Sequence, residues 1–356
     1  MFNCSDDVLG FHDVEVTLPL KEREEMRGRR KAVRERLKAG LEKSGKPLPI
    51  ESKSQGSYAM KTMTQDPDKD YDIDDGVYFD RADLVGSRGA DMSSLEARQM
   101  VRDAVDDRSF KTKPEVRPNC VRVVYDAGYH VDLPVYRRVT SKDVFGTESV
   151  YYELASVDWK RSDARDVTAW FDKENELQSP DKENGRQLRR ITRLLKKFAK
   201  SRKDWKGKAL GGFGITKLVV EKYSANALRE DTALHSVMQA IKSRLDYDLV
   251  VKHPVTPNDT ITKGRDDARA RFLREKLGDA LEWLKPVFDA QCDRKTAAAC
   301  WDKVFNTSYF TERLKKETSA SAELPTGALD GGLLKTVSAT PAARDAVQKD
   351  GGGRYA

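Results

Sequence analysis

The chain has 356 residues, with 65 Lys and Arg against 58 Asp and Glu and a formal net charge of +7. That length suits one large bilobal domain or two intimate lobes, and the modest basic excess favours a polyanionic ligand such as a nucleotide or nucleic acid. No apolar run approaches the roughly 20 residues of a membrane-spanning helix, and the N-terminus lacks the basic-then-apolar plan of a signal peptide, so a cytoplasmic protein is expected. Cys4, Cys120, Cys292 and Cys300 show no CxxC spacing, a pattern of reduced thiols rather than of a zinc site or disulfide framework.

From Leu20 to about Lys43 the chain is rich in Arg, Lys, Glu and Leu, free of proline, and carries Met26, Val33, Leu37 and Leu41 at near-helical spacing. A long amphipathic helix is predicted there, ended by Ser44-Gly45-Lys46-Pro47. Leu48 to Ser52 reads as a short strand leading into a Gly56-Ser57 turn, and Tyr58 to Thr64 as a short helical stretch. A strand then starts at Asp72-Ile73-Asp74 and runs through Val77-Tyr78-Phe79. Ser94 to Val105 reads as a helix with Leu95, Met100, Val101 and Val105 on its apolar side. Val121 to Tyr125 and Tyr129 to Tyr136 read as a hairpin about an Asp126-Ala127-Gly128 turn.

Beyond Tyr152 helical patterns dominate: Gly185 to Arg202, Ile215 to Leu228, Thr232 to Leu245 and Asp266 to Ala290. Ser156 to Trp159 and Asp163 to Trp170 are expected to connect the two lobes. From Thr318 onward Ala, Ser, Thr, Gly and Pro dominate, a composition with too little apolar area to offset its ordering entropy, and a flexible tail is expected. The domain reading is therefore residues 1–155 as a lobe with a mixed sheet and a long N-terminal helix, 156–317 as a helical lobe, and 318–356 as a tail.

Strand side chains alternate between faces, so Asp72 and Asp74 share one face while Ile73 enters the core. Asp132, in His130-Val131-Asp132-Leu133, arrives on a later strand as a third carboxylate. Like charges this close repel unless a cation sits among them, and hard oxygen donors suit Mg²⁺. Such a set fits metal-dependent nucleotidyl transfer, in which a hydroxyl attacks the α-phosphate of a nucleoside triphosphate between two ions about 3.5–4 Å apart. Gln55-Gly56-Ser57 supplies a turn where backbone N–H groups and a hydroxyl can meet phosphate. On the basic helix Leu188, Ile191, Leu195 and Phe198 form a buried stripe, which leaves Arg189, Arg193, Lys196 and Lys197 on other faces. Lys196 is the candidate for the β- and γ-phosphates.

Gly56-Ser57, Tyr71-Asp72-Ile73-Asp74-Asp75-Gly76-Val77-Tyr78 and Val131-Asp132-Leu133 closely resemble the bacterial cGAS/DncV-like nucleotidyltransferases, the CD-NTases of CBASS anti-phage operons. Arg193-Leu194-Leu195-Lys196 and Trp301-Asp302-Lys303-Val304-Phe305 extend the resemblance over roughly residues 20 to 310. It implies an α+β fold, a bilobal polymerase-β-like nucleotidyltransferase core with a helical C-terminal lobe. It also implies a synthase that joins nucleoside triphosphates and closes the ring to a cyclic di- or trinucleotide second messenger, which a downstream effector would bind. On the matching positions Asp72, Asp74 and Asp132 would hold two Mg²⁺ ions, or Mn²⁺. Gln55, Gly56 and Ser57 would form the triphosphate turn, and Lys196 would bind phosphate. Where relatives place a Ser or similar phosphate contact this chain has Gly211-Gly212-Phe213-Gly214-Ile215-Thr216, so Thr216 is the candidate there. Asn258 and Asp259 are candidates for reading a base edge.

The terminal Gly351-Gly352-Gly353-Arg354-Tyr355-Ala356 resembles the tail of relatives whose operons encode a ubiquitin-transfer-like enzyme, which implies conjugation of the Ala356 carboxylate by an E1/E2-like partner. Two other readings of the residues remain open at this level: a template-independent nucleotidyltransferase acting on RNA or another acceptor without cyclisation, and a nucleic-acid-binding protein built on an inactive transferase fold.

Overall fold

The computed structural model describes residues 2–322 except 70, 87–88, 108–110 and 126–127. Residues up to Lys315 form one contact unit and Lys316–Ala356 a second. Most of the expected tail, with its Gly351-to-Ala356 terminus, lies outside the described residues.

The chain opens with α1 (Ser5–Phe11), which runs into a π-helical turn over His12–Val16. Next comes α2 (Leu20–Lys43), coinciding with its predicted span, with Met26, Val33, Leu37 and Leu41 buried as the spacing requires. Its end follows from Gly45. At φ +61° that residue takes the left-handed conformation, and Lys46 N–H bonds back to Leu41 O at 2.9 Å while Gly45 N–H reaches Glu42 O at 3.2 Å. These paired bonds satisfy carbonyls that a helix end otherwise leaves open.

Strand β1 (Glu51–Ser54) starts three residues later than the sequence suggests, and it leads into α3 (Gly56–Ala59), one turn long, where a helical stretch to Thr64 was expected. Lys61, at φ +55°, interrupts the helix. The central strand is β2 (Tyr71–Asp80). Helix α4 (Ser94–Val105) starts from a two-armed capping box between Ser93 and Glu96. Its buried face is Ala97, Met100, Val101, Ala104 and Val105, whereas Leu95 is exposed. Four strands follow: β3 (Glu115–Val116), β4 (Val121–Val124), β5 (Tyr129–Leu133) and β6 (Val135–Lys142). The predicted single strand over 129–136 is thus divided at Pro134, which has no N–H for a ladder.

That division shapes the sheet. The first half of β2 pairs in parallel with β5, and the second half pairs in parallel with β6. Strand β7 (Glu148–Ala155) and β8 (Trp159–Arg161) continue the sheet, so strand pairing outlasts Tyr152. The strand order is β3-β4-β5-β2-β6-β7-β8, with β1 antiparallel to β2. The stretch expected as a connection past Asp163 is instead the start of α5 (Ala164–Gln178), capped by Asp163. The helical part contains α6 (Gln187–Ala199), α7 (Gly212–Lys222), α8 (Glu230–Tyr247), α9 (Ala268–Leu284), α10 (Arg294–Phe305) and α11 (Tyr309–Ala322).

Two main cores result. One joins α2 and α4 to the sheet through residues such as Val33, Leu37, Val101, Ile73 and Val131. The other joins the helices, and it includes Cys4, Val8, Phe11 and Val16 from the N-terminus. Although α1 precedes the sheet in sequence, its apolar face packs with the helical part. A third, small cluster of Met60, Phe171, Leu188 and Val220 binds the loop after α3 to α5, α6 and α7. Among the described residues no helix is long and apolar enough to cross a membrane.

Candidate active site

Three acidic side chains meet because two strands run in parallel register. Asp74 on β2 has Asp132 on β5 as its Cα partner, and Asp72 has His130. Ile73, between the two acids, is fully buried, which leaves Asp72 and Asp74 on the opposite face. The negative charges act on one another. Burial, then Asp132, then Asp72 push the Asp74 carboxyl up from its ordinary range to about 6, with Arg122 opposing them. Asp72 is half exposed, whereas Asp132 is nearly covered.

The turn before them is built around Gly56. Its φ is +61°, and a Cβ placed there would lie 2.2 Å from Asp74 Oδ2, so both conformation and space require glycine. Gln55 N–H donates to Asp74 O at 2.8 Å, which pins the turn onto the acidic strand. The Gln55 side chain has its partners on the sheet. It is buried, and its amide is bonded at both ends: Nε2 donates to Tyr78 Oη at 2.8 Å and Oε1 accepts from Tyr136 Oη at 3.2 Å. Tyr78 Oη donates on to Asp163 Oδ1 at 3.3 Å. Gln55 therefore braces the turn from behind through a relay that ends at the cap of α5. Ser57 remains on the turn, partly covered, with its carbonyl accepting from Thr62 N–H at 2.9 Å.

Helix α6 presents its cations to the loop beyond that turn. Arg189 Nε donates to Met60 O at 3.0 Å, Arg193 Nε to Lys61 O at 2.8 Å, and Lys197 Nζ to Gln65 O at 3.4 Å. Lys196 Nζ donates to Thr62 Oγ1 at 2.8 Å and Thr62 O at 3.3 Å. The Lys196 ammonium is buried. Desolvation, followed by Lys200 and Arg193, lowers its pKa to about 7. Arg193, whose Nη1 also lies 3.3 Å from His12 Nε2, is brought down to about 10 mainly by burial. A cationic row along one helix thus holds the carbonyls of residues 60–65, and Lys196 is poorly solvated within it.

Two further sequence candidates have partners within the chain. Thr216 is fully buried, and its hydroxyl donates to Gly212 O at 2.8 Å, one turn back along its own helix. Asp259 is engaged by Lys160 Nζ at 3.1 Å and Thr256 Oγ1 at 3.3 Å, in a turn closed by Asp259 N–H to Thr256 O.

Sequence reading missed Arg122. On β4 it stands opposite Asp132, and it donates from Nε and Nη2 to the two Asp132 oxygens at 2.7 and 2.6 Å. Nη2 also lies 3.2 Å from Asp72 Oδ1. Among the described residues no three His, Cys, Asp or Glu side chains are arranged to hold a metal ion. The chemistry of the donor set nevertheless fits one: clustered hard oxygens, one carboxyl destabilised by its acidic neighbours, and a guanidinium supplying positive charge at the same oxygens.

Acidic strands in parallel register behind a glycine turn, joined to a helical part, define a nucleotidyltransferase of polymerase-β-like fold. Residues 50–136, which hold the turn and all three acids, match the family model "Cyclic GMP-AMP synthase DncV-like, nucleotidyltransferase domain". Residues 50–136 thus match a DncV-like nucleotidyltransferase domain, in agreement with the resemblance read from the motifs, and the chain is a nucleotidyltransferase. Among solved structures, Vibrio cholerae DncV cyclic AMP-GMP synthase in complex with nonhydrolyzable GTP is similar at 16% identity and TM-score 0.67, over 87% of this chain and 97% of that one. The same enzyme in complex with the linear intermediate 5′ pppA(3′,5′)pG is similar at 15% identity and TM-score 0.62, over 83% and 92%. The CD-NTase CdnG of Bradyrhizobium diazoefficiens in complex with GTP is similar at 14% identity and TM-score 0.63, over 88% and 98%. At these identities the structures establish a shared fold.

Proposed function

We propose that this nucleotidyltransferase is a cyclic oligonucleotide synthase that joins nucleoside triphosphates with release of pyrophosphate and closes the product to a cyclic di- or trinucleotide. The observation that carries the transfer step is the register of Asp74 with Asp132, with Asp72 two residues upstream and Gly56 packed on the Asp74 carboxylate. Ring closure is supported by the fold shared with a cyclic AMP-GMP synthase that is also known with a linear pppA(3′,5′)pG intermediate.

In this reading Asp72, Asp74 and Asp132 hold two Mg²⁺ ions, or Mn²⁺. Bound there, the ions would lower the pKa of the attacking hydroxyl and neutralise charge on the leaving group. The chain's own residues do the rest. Gly56 and Ser57 offer the turn for the triphosphate, and Gln55 keeps that turn rigid from below. Lys196 is the proposed phosphate-binding cation, poised because burial has made its charge costly and an arriving polyanion makes it favourable. Messenger production for anti-phage defence, a cytoplasmic location, an effector that binds the messenger, and conjugation of Ala356 by an E1/E2-like partner complete the proposal. They rest on the resemblance of the motifs and of the terminal Gly-Gly-Gly-Arg-Tyr-Ala.

The test is incubation of the purified full chain with Mg²⁺ and an equimolar mixture of ATP, GTP, CTP and UTP, followed by phosphatase treatment and mass spectrometry. A phosphatase-resistant product is expected, lost in Asp72→Ala and Asp74→Ala. Linear, phosphatase-sensitive products alone would refute ring closure. Activity only with an added polymer acceptor would point to an acceptor-modifying transferase instead.

A further inference from the structure

Arg122 occupies the position where the proposed metal chemistry would begin. It is placed there by the sheet: β4 and β5 are antiparallel, and Arg122 and Asp132 are direct cross-strand partners. Both Asp132 oxygens accept from its fork, at 2.7 and 2.6 Å, and Asp72 Oδ1 is 3.2 Å from the same Nη2. The guanidinium is only 19% exposed and the Asp132 side chain 9%. Paired carboxylate–guanidinium bonds of this length in a sheltered setting are among the more persistent side-chain interactions.

A divalent ion competes for the same two oxygens. An ion that coordinates Asp132 either displaces an arm of the fork or sits on the remaining lone pairs beside the guanidinium charge, and the lost bond or the repulsion is subtracted from the ion's own affinity. The charge balance points the same way. Three carboxylates with one guanidinium leave a formal charge of −2, so the pocket attracts a cation yet already contains one. A triphosphate entering with its ion changes this balance, because it supplies new negative charge that the released guanidinium can face. We infer that Arg122 is a displaceable internal counter-cation, which opposes loading of Asp72 and Asp132 by a bare divalent ion and makes ion and triphosphate bind together. This rests on the reading of the site as metal-dependent.

The test measures Mn²⁺ binding to the full chain by electron paramagnetic resonance, with and without a nonhydrolysable nucleoside triphosphate, for the wild type, Arg122→Gln, Arg122→Lys and Arg122→Gln/Asp132→Asn. Without nucleotide, Arg122→Gln is expected to bind Mn²⁺ at least about tenfold more tightly than the wild type, within the usual span of coupling between two ligands. Arg122→Lys, with charge but no fork, falls between them, and the added Asp132→Asn removes the gain. With the triphosphate the gap between wild type and Arg122→Gln narrows. Melting temperatures establish that each protein is folded. Should Arg122→Gln not fold, Arg122→Lys carries the comparison. Equal Mn²⁺ affinity without nucleotide in folded proteins, or a gap that nucleotide leaves unchanged, overturns the inference while leaving the transferase reading intact. Absence of Mn²⁺ binding in every protein even with triphosphate would overturn both.

Discussion

Arg34 holds Asp75 through two hydrogen bonds of 2.6 Å, from Nε to Oδ2 and from Nη2 to Oδ1. The period of the strand turns Asp75 to the core side with Ile73 and Val77, away from Asp72 and Asp74, and it is fully buried there. Ser54 Oγ adds a third bond to Asp75 at 3.1 Å, and Arg30 holds Ser54 in turn at 2.6 Å. The last acid of Asp72-Ile73-Asp74-Asp75 thus ties α2 to the strand that carries the site.

Loss of this tie is expected to be costly. Removing one partner of a buried pair costs ~3–5 kcal/mol, and the partial exposure of Arg34 lowers the expectation for Arg34→Met to about 2 kcal/mol. Thermal melts check it, with Arg34→Met/Asp75→Asn recovering part of the loss because no buried charge is left unpaired.

Asp74→Asn should separate stability from activity. Burial and two acidic neighbours make the ionised Asp74 unfavourable in the metal-free protein, so the neutral amide is expected to melt higher in the presence of a chelator. Nucleotidyl transfer should fall by ~10²–10³-fold, the size of losses seen when one preorganised charge-stabilising group is removed. A pyrophosphate-release assay beside the melts checks both halves, and an unchanged or lowered melting temperature would count against the electrostatic account.

Lys196 sets a pH dependence. Its folded pKa, lowered from 10.5 to about 7, means that the unfolded chain binds the extra proton between those values, so stability rises with pH across that window and the burial penalty is fully present below it. Lys196→Met should flatten this rise. It is expected to be more stable than the wild type by about 2 kcal/mol at pH 6.5, less than the full shift implies because the Thr62 bonds are lost, with the advantage shrinking by pH 9.5. Urea titrations at the two pH values measure it. In the same variant KM for triphosphate should rise about tenfold, as for loss of one charged hydrogen bond.

Gln55 should behave as a positioning residue. Gln55→Ala leaves the buried Tyr78 and Tyr136 hydroxyls short of a partner and is expected to cost ~1–3 kcal/mol, with kcat reduced more than KM is changed. Tyr136→Phe removes one bond of the relay and should cost about 1 kcal/mol while largely preserving transfer. A large KM increase with unchanged kcat in Gln55→Ala would instead indicate direct contact with the nucleotide.

Much of this arrangement is legible in the sequence because it is periodic or local. Helix α2 is written in its apolar spacing and its Gly45 stop, and the two faces of β2 in the alternation of Asp72, Ile73 and Asp74. What eluded sequence reading depends on partners far along the chain. Nothing near Gln55 announces that Tyr78 and Tyr136 will take its amide, or near Asp259 that Lys160 will reach it. The split of the 129–136 strand did have a local signal in Pro134, but its consequence, two successive parallel partners for β2, is a matter of topology.

By itself the sequence determined the chemistry available: three carboxylates, a glycine turn and a basic helix, each placed on its element by residue type and spacing. Only the tertiary structure decided how that chemistry is balanced. Parallel register puts Asp132 beside Asp74, and antiparallel pairing then lays Arg122 across Asp132 and close to Asp72. The reason is physical: side-chain periodicity depends on neighbours a few residues away, whereas charge compensation and burial depend on which distant strands and helices come to lie alongside.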